Sequence, residues 1–195
     1  MTLNLCKAAF LDRDGVINID HAYVHKIEDF NWLPGVLEAA HALHTAGYAL
    51  VVVTNQSGIG RGYYDKAAFE RLTDWMKARF AEAGAPLAGV YFCPHHPDEA
   101  LEGYRRNCDC RKPRPGMLLQ AASELSLDLS ASLMFGDKSS DMTAGRAAGC
   151  CERIQLGTDG REIPEPSKDA TRAFANLSDA VHSPWFNQLK ERNLS

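Results

Sequence analysis

The run Lys7-Ala-Ala-Phe-Leu11 is short and apolar and stops at an aspartate-rich turn, which predicts a buried strand. Pro34 to Ala46 carries a helical pattern, with Pro34 suited to the first turn and Gly47 to the stop. Tyr48 to Val53 is apolar on both faces and ends at Thr54-Asn55; strands of that kind belong to parallel sheets. Asp65 is placed to cap the next helix, in which Phe69, Leu72, Met76 and Phe80 recur at helical spacing up to Gly84. Gly89 to Phe92 predicts a third strand, and Cys93 to Pro113 is a long irregular stretch. A helix over Pro115–Leu125, a strand over Ala131–Phe135 ending at Gly136-Asp137, a short helix through Ala148 and a strand around Arg153–Leu156 follow. Leu177 to Asn193 predicts a helical tail that Pro184 breaks or restarts.

Strand and helix patterns alternate, so the expected class is α/β: a parallel sheet flanked by helices. In such sheets ligands bind at the carboxyl ends of strands. The polar residues at those ends are Asp12, Thr54-Asn55, the segment from Cys93 onward, and Asp137. A length of 195 residues is expected to form a single domain over 1–195. The net charge of −4 argues against a duplex nucleic-acid partner and leaves room for a small anionic substrate bound by a few placed cations. No run reaches the roughly 20 apolar residues of a membrane span, and the N-terminus makes a poor secretory signal. A cytoplasmic monomer whose thiols stay reduced is therefore expected.

Two clusters carry candidate chemistry. In Asp12-Arg-Asp14-Gly15 two carboxylates lie two residues apart on a turn. Asp-x-Asp-Gly is also an ordinary turn sequence, but its place directly after an apolar strand favours chemistry. A magnesium ion takes one or two carboxylates plus water and phosphate, and Asp12 and Asp137 could meet one from neighbouring strand ends. The second cluster is Cys93-x-His95, then twelve residues, then Cys108-x-Cys110. Three sulfurs and one imidazole form a recognised tetrahedral zinc set, and a closed set of that kind is structural. His96 is the competing imidazole. Metal bonds would order a polar loop over about 93–112 that has little to build a core from, and Arg111 and Lys112 directly follow Cys110.

Asp12-Arg-Asp14-Gly15, the strand ending Thr54-Asn55-Gln56, Arg111-Lys112-Pro113 and Gly136-Asp137-x-x-x-Asp141 occur in order. Together they resemble the four signature motifs of the haloacid dehalogenase (HAD) superfamily of phosphotransferases. More narrowly, His21-Ala-Tyr-Val-His25, Val53-Thr-Asn-Gln-Ser-Gly-Ile-Gly-Arg-Gly62, Cys93-Pro-His-His-Pro97 and Cys108-Asp-Cys-Arg-Lys-Pro113 resemble the D-glycero-D-manno-heptose-1,7-bisphosphate 7-phosphatases. The likeness runs from about Phe10 to Gly157. It implies a HAD-like Rossmannoid parallel sheet flanked by helices, with a zinc-binding loop. No insert in the chain is large enough for a separate cap domain.

The resemblance also implies roles. Asp12 is the nucleophile that forms an aspartyl-phosphate. Asp14 protonates the leaving alkoxide and then deprotonates water, so its surroundings are expected to keep it partly protonated near neutrality. Thr54 and Lys112 bind the transferring phosphoryl group. Magnesium is held by Asp12, Asp137 and the main-chain carbonyl of Asp14, with Asp141 supporting them. Zinc is held by Cys93, Cys108, Cys110 and, in preference to His96, His95. Asp20, His21, Tyr23, Asn55, Gln56, Ser57, Arg111 and Lys138 align with substrate-contacting positions of a sugar bisphosphate enzyme in ADP-heptose and lipopolysaccharide core synthesis. Val16, and Ser139-Ser140, depart from the family pattern without removing any of these groups. The competing readings are a histidinol-phosphate phosphatase and a zinc-stabilised interaction module without turnover. The stretch Gly58-Ile-Gly-Arg-Gly62 reads as a mobile flap.

Overall fold

The computed structural model describes residues 5–158 and 160–192. Six parallel strands form one sheet: β1 (Ala8–Leu11), β2 (Ala49–Asn55), β3 (Leu87–Cys93), β4 (Leu133–Gly136), β5 (Glu152–Leu156) and β6 (Arg172–Phe174), in the spatial order β3-β2-β1-β4-β5-β6. The helices are α1 (Val36–Thr45), α2 (Ser57–Gly60), α3 (Lys66–Glu82), α4 (Gly116–Leu125), α5 (Ser139–Ala148), α6 (Leu177–His182) and α7 (Pro184–Arg192). Pro184 starts a new helix, while Asn193, the expected end of the tail, lies outside the described residues. Among the described residues no large cap stands over the sheet.

β1 and most of β2 are apolar because each supplies both layers of the core. Alternate residues point to opposite faces. Ala9 and Leu11 of β1, with Leu50 and Val52 of β2, join the layer that includes Leu43, Phe80, Leu177 and Phe186. Ala8 and Phe10, with Val51 and Val53, join the layer that includes Met117, Leu118 and Met142. The Asp65 carboxylate caps α3 by accepting from Ala68 N at 2.7 Å, and Phe69, Leu72, Met76 and Phe80 form its buried face.

The chain runs outward from β1 through β2 to β3, then returns to the other side of β1 as β4. The strand order thus reverses between β1 and β4, which opens a crevice at their carboxyl ends. Asp12 leaves β1 and Asp137 leaves β4 at that point. Asp12 N donates to Phe135 O at 3.0 Å, extending the ladder to the site's edge. Gly15 takes a φ of +87°, and a Cβ there would lie 2.5 Å from Asp137 Oδ2, so the turn after β1 packs directly against the second acid.

Candidate active site

A cleft of about 520 Å³ lies over the ends of β1, β2 and β4 and is lined by Asp12, Thr54, Gln56, Arg111 and Lys112, among others. Its floor is a buried charge cluster. Lys112 Nζ sits 2.9 Å from Asp12 Oδ1 and 2.6 Å from Asp141 Oδ1, and donates to Val53 O at 2.8 Å. Burial opposes the charge on Lys112, but Asp12 and Asp141 together outweigh it and hold the ammonium above its usual range. Asp141 Oδ2 accepts from Lys138 N at 3.0 Å, at the start of α5, while its Oδ1 has the Lys112 charge beside it but no hydrogen bond.

The acids exceed the cations beside them. Asp12, Asp137 and Asp141 bring carboxylate oxygens within 4.8 Å of one another. Asp137 Oδ1 is buried without a hydrogen-bond partner. Burial, followed by the Asp12 charge, pushes Asp137 up to about 7. Burial pushes Asp12 up to about 6, despite the opposing pull of Lys112. Buried, crowded carboxylates with an unpaired oxygen are the donor set of a hard divalent cation, and Asp12 and Asp137 are the two with capacity to spare.

Asp14 faces a different set of partners. Arg13 Nη2 lies 2.9 Å from each of its oxygens, Asn18 Nδ2 donates to Oδ1 at 3.0 Å, and Gln56 Nε2 donates to Oδ2 at 3.2 Å. Arg13 is buried and also donates to Val24 O at 2.7 Å, which ties down the turn containing Tyr23. Arg13 and Asn18 escaped sequence reasoning. A charged residue between two acids at a buried strand end was the available signal for Arg13.

The residues aligned with substrate contacts divide into three groups. Asp20, Tyr23, Ser57, Arg111 and Lys138 line the cleft. Lys138 Nζ pairs with Asp20 Oδ2 at 3.1 Å across its mouth, and burial is outweighed at Asp20 by the Ala22 N–H and Lys138, which hold it low. Asn55 and Gln56 also line the cleft, but their amides are engaged by protein. Asn55 Nδ2 donates to Lys112 O and its Oδ1 accepts from Lys112 N, both at 3.1 Å. Gln56 accepts from Tyr64 OH at 2.5 Å and donates to Thr54 Oγ1 at 2.8 Å. His21 lines a neighbouring depression, 3.2 Å from Asn31 Nδ2.

The glycine-rich stretch differs from a flap. Residues 57–60 form α2, and Gly58, Ile59 and Gly60 are buried. A Cβ on Gly58 would strike the Tyr64 ring and one on Gly60 the Pro94 carbonyl. These glycines serve close packing. The turn opposite them is docked rather than loose: Tyr23 meets the Tyr63 ring edge-on at 4.7 Å, and His25 stacks on Tyr64 at 4.7 Å. Ala22 and Tyr23 both take positive φ, 59° and 56°, a conformation that non-glycine residues hold only where their surroundings impose it.

Beside the cleft, Cys93, His95, Cys108 and Cys110 converge. The sulfurs are 3.1, 3.2 and 3.5 Å apart, and His95 Nδ1 lies 3.4 Å from Cys110 Sγ and 3.6 Å from Cys93 Sγ. A tetrahedron with bonds of about 2.3 Å to sulfur has edges of roughly 3.8 Å, so the set is nearly sized for a metal. Its contact with Cys93, opposed by burial and reinforced by the contacts with Cys108 and His95, brings Cys110 down to about 5, toward the thiolate that a metal needs. The His96 ring is turned elsewhere, with Nδ1 accepting from the Asp98 and Glu99 N–H groups.

A buried carboxylate on a parallel-sheet rim, a buried lysine and an acid across a switch point define a phosphoryl-transfer hydrolase of the HAD-like class. A family model described as "HAD-hyrolase-like" matches residues 109–179. The D-glycero-beta-D-manno-heptose-1,7-bisphosphate 7-phosphatase of Photorhabdus laumondii is 51% identical over 169 residues, covering 87% of this chain and 89% of the relative. The enzyme of the same name from Vibrio cholerae is 48% identical over 176 residues, covering 90% and 94%. Among solved structures, D,D-heptose 1.7-bisphosphate phosphatase from B. bronchiseptica, complexed with magnesium and phosphate, superposes with a TM-score of 0.77 at 30% identity, covering 95% of this chain and 99% of that one. The chain belongs to the D-glycero-β-D-manno-heptose-1,7-bisphosphate 7-phosphatase family.

Proposed function

We propose that the protein hydrolyses the 7-phosphate of D-glycero-β-D-manno-heptose 1,7-bisphosphate through an aspartyl-phosphate on Asp12, on the route to ADP-heptose for lipopolysaccharide core. The observation that carries this reading is the buried Asp12–Lys112–Asp141 cluster opening into a cleft with Arg111 and Lys138 on its walls. Arg13 N and Lys112 Nζ both contact Asp12 Oδ1, which leaves Oδ2 to attack phosphorus. Thr54 Oγ1 accepts from Gln56, so its own proton is directed to a phosphoryl oxygen. Lys112 sets a fixed positive charge beside the same oxygens. Asp14, oriented by Arg13, Asn18 and Gln56, gives a proton to the leaving sugar oxygen and takes one from the water that releases phosphate. Arg111 and Lys138 suit the second, non-reacting phosphate, so that remote binding orients the reacting end.

Magnesium would be held by Asp12 and Asp137, to which the family resemblance adds the main-chain carbonyl of Asp14. When bound, it neutralises charge between carboxylate and phosphate so that two anions approach. Zinc fits the Cys93–His95–Cys108–Cys110 set and fixes the loop that carries Arg111 and Lys112; Arg111 Nη1 donates to His95 O at 3.2 Å. A cytoplasmic location suits this reading, because thiols stay reduced there and remain available to a metal.

The testing experiment is a substrate panel with both anomers of the heptose bisphosphate, histidinol phosphate and simple sugar phosphates. kcat/KM for the β-heptose bisphosphate is expected to exceed that for histidinol phosphate by about 100-fold or more, since histidinol phosphate has no second phosphate for the Arg111 side. Equal values, or preference for histidinol phosphate, would overturn the assignment. Absence of turnover on every substrate would favour an interaction module.

A further inference from the structure

We propose that Gln56 is a positioning residue that locks the acid–base carboxylate Asp14 to the phosphoryl-binding hydroxyl of Thr54, rather than a substrate contact. This rests on the roles given above to Asp14 and Thr54. Gln56 is only 2% exposed although it borders the cleft. Its amide is fully engaged: Nε2 reaches Asp14 Oδ2 at 3.2 Å and Thr54 Oγ1 at 2.8 Å, while Oε1 accepts from Tyr64 OH at 2.5 Å. Both N–H donors of that side chain are used, and its oxygen, already held by Tyr64, is buried with the rest of the side chain.

The other donors to Asp14 do a different job. Arg13 is its sequence neighbour and Asn18 lies four residues on, so both tie the carboxylate to its own turn. Among the described residues, Gln56 is the one donor to Asp14 from the end of β2, 42 residues away, where Thr54 also sits. The proton donor and the phosphoryl grip belong to separate loops, and this amide sets the spacing between them.

The Tyr64 hydroxyl fixes which way the amide faces. With Oε1 held by a donor, Nε2 must turn toward Asp14 and Thr54. The Tyr64 ring is clamped between the His25 imidazole and the α2 backbone at Gly58, so the amide is oriented by packing. Displacement of a reacting group by about 1 Å costs up to roughly 100-fold in rate. Proton donation matters for a poor leaving group such as a sugar alkoxide and little for one that leaves as a stable anion.

The test measures single-turnover phosphoryl transfer from the heptose bisphosphate and from p-nitrophenyl phosphate, in the magnesium-loaded full chain. Gln56→Met, close in shape but without an amide, is expected to slow transfer from the sugar about tenfold or more. Transfer from p-nitrophenyl phosphate should change far less, and the sugar's KM should move less than twofold. A rise in KM with kcat unchanged, or an equal loss on both substrates, would overturn the proposal. Should Gln56→Met fail to fold, Gln56→Leu is read in the same way: it also removes the amide and adds no charge beside Asp14. The control is Asp14→Ala. If it too slows both substrates equally, the acid–base reading of Asp14 is what fails. If it selectively slows the sugar while the Gln56 variants do not, the positioning role alone is refuted.

Discussion

The carboxylate cleft and the thiol loop lie side by side and are held by opposite means. At the cleft, Asp12, Thr54 and Asp137 stand at the ends of central strands whose ladders and two apolar layers fix them, whatever ion is present. At the loop, residues 94–113 contain one 3-10 turn, Glu102–Tyr104, and one isolated bridge between His96 and Arg105, and the convergence of three sulfurs and one imidazole ties this stretch to the edge of the apolar layer. Lys112 belongs to both regions. Its ammonium is buried in the cleft cluster, while its backbone follows Cys110. The contrast teaches that a missing ion should be tolerated structurally on one side and not on the other.

The largest expected effect breaks the cleft chemically while leaving it standing. Asp12→Asn removes the attacking oxygen and should lower turnover by about 10⁴-fold or more, with an unchanged circular dichroism spectrum. Turnover within tenfold of the parent would refute the assigned nucleophile.

Next comes metal removal, which sets the two regions against each other. Withdrawing zinc with a thiol-competent chelator, or making Cys108→Ala, should open the loop to trypsin at Arg105 and Arg106 and abolish activity, while the sheet stays folded. Withdrawing magnesium alone should abolish activity reversibly without exposing those sites. If zinc-depleted protein keeps full activity, Lys112 does not depend on the loop.

The pH dependence of stability sharpens the electrostatic half of the comparison. Asp12 and Asp137 are raised to about 6 and about 7 from an ordinary value near 4. The folded, magnesium-free protein therefore binds these protons more tightly than the unfolded chain does. Its stability should fall as pH rises from about 4 to about 7 and level off above, with magnesium's stabilisation larger at pH 8 than at pH 5. Melting curves at constant zinc test this, with Asp137→Asn expected to flatten the slope. A slope unchanged by that substitution would contradict the cause given for the shift.

The smallest effect is at the seam. Asn55→Ala removes both hydrogen bonds that bracket the Lys112 main chain and should reduce kcat severalfold, about tenfold at most, with KM little changed, because the ammonium keeps Asp12 and Asp141. A loss confined to KM would return Asn55 to substrate binding.

How far the sequence could be read follows the same divide. Apolar runs ending in Asp12, Thr54 and Asp137 announced both the central strands and the acids at their ends, because burial on both faces leaves a continuous hydrophobic signature. Strand β6 left no such mark: it is three residues long, partly exposed, and preceded by an irregular stretch. Residues 58–62 were misread because glycine signals flexibility and close packing with the same letter; the Tyr64 ring and the Pro94 carbonyl decide between them. The amides of Asn55 and Gln56 point at partners 57 and 42 residues away, which adjacency to Thr54 does not reveal. His21 shares a short motif with Tyr23, and both line the neighbouring depression, yet of the two it is Tyr23 that also reaches the cleft.

The central pairing of β1 with β4 has a consequence for biogenesis. A bond such as Ala8 N to Ser132 Oγ spans 124 residues, and Asp12 meets Asp137 and Asp141 only after most of the polypeptide has left the ribosome. Until β4 and the start of α5 have emerged, a nascent chain carries Asp12 without the Asp137 and Asp141 carboxylates that surround it in the fold, so the floor of the cleft forms only once both distant acids are available.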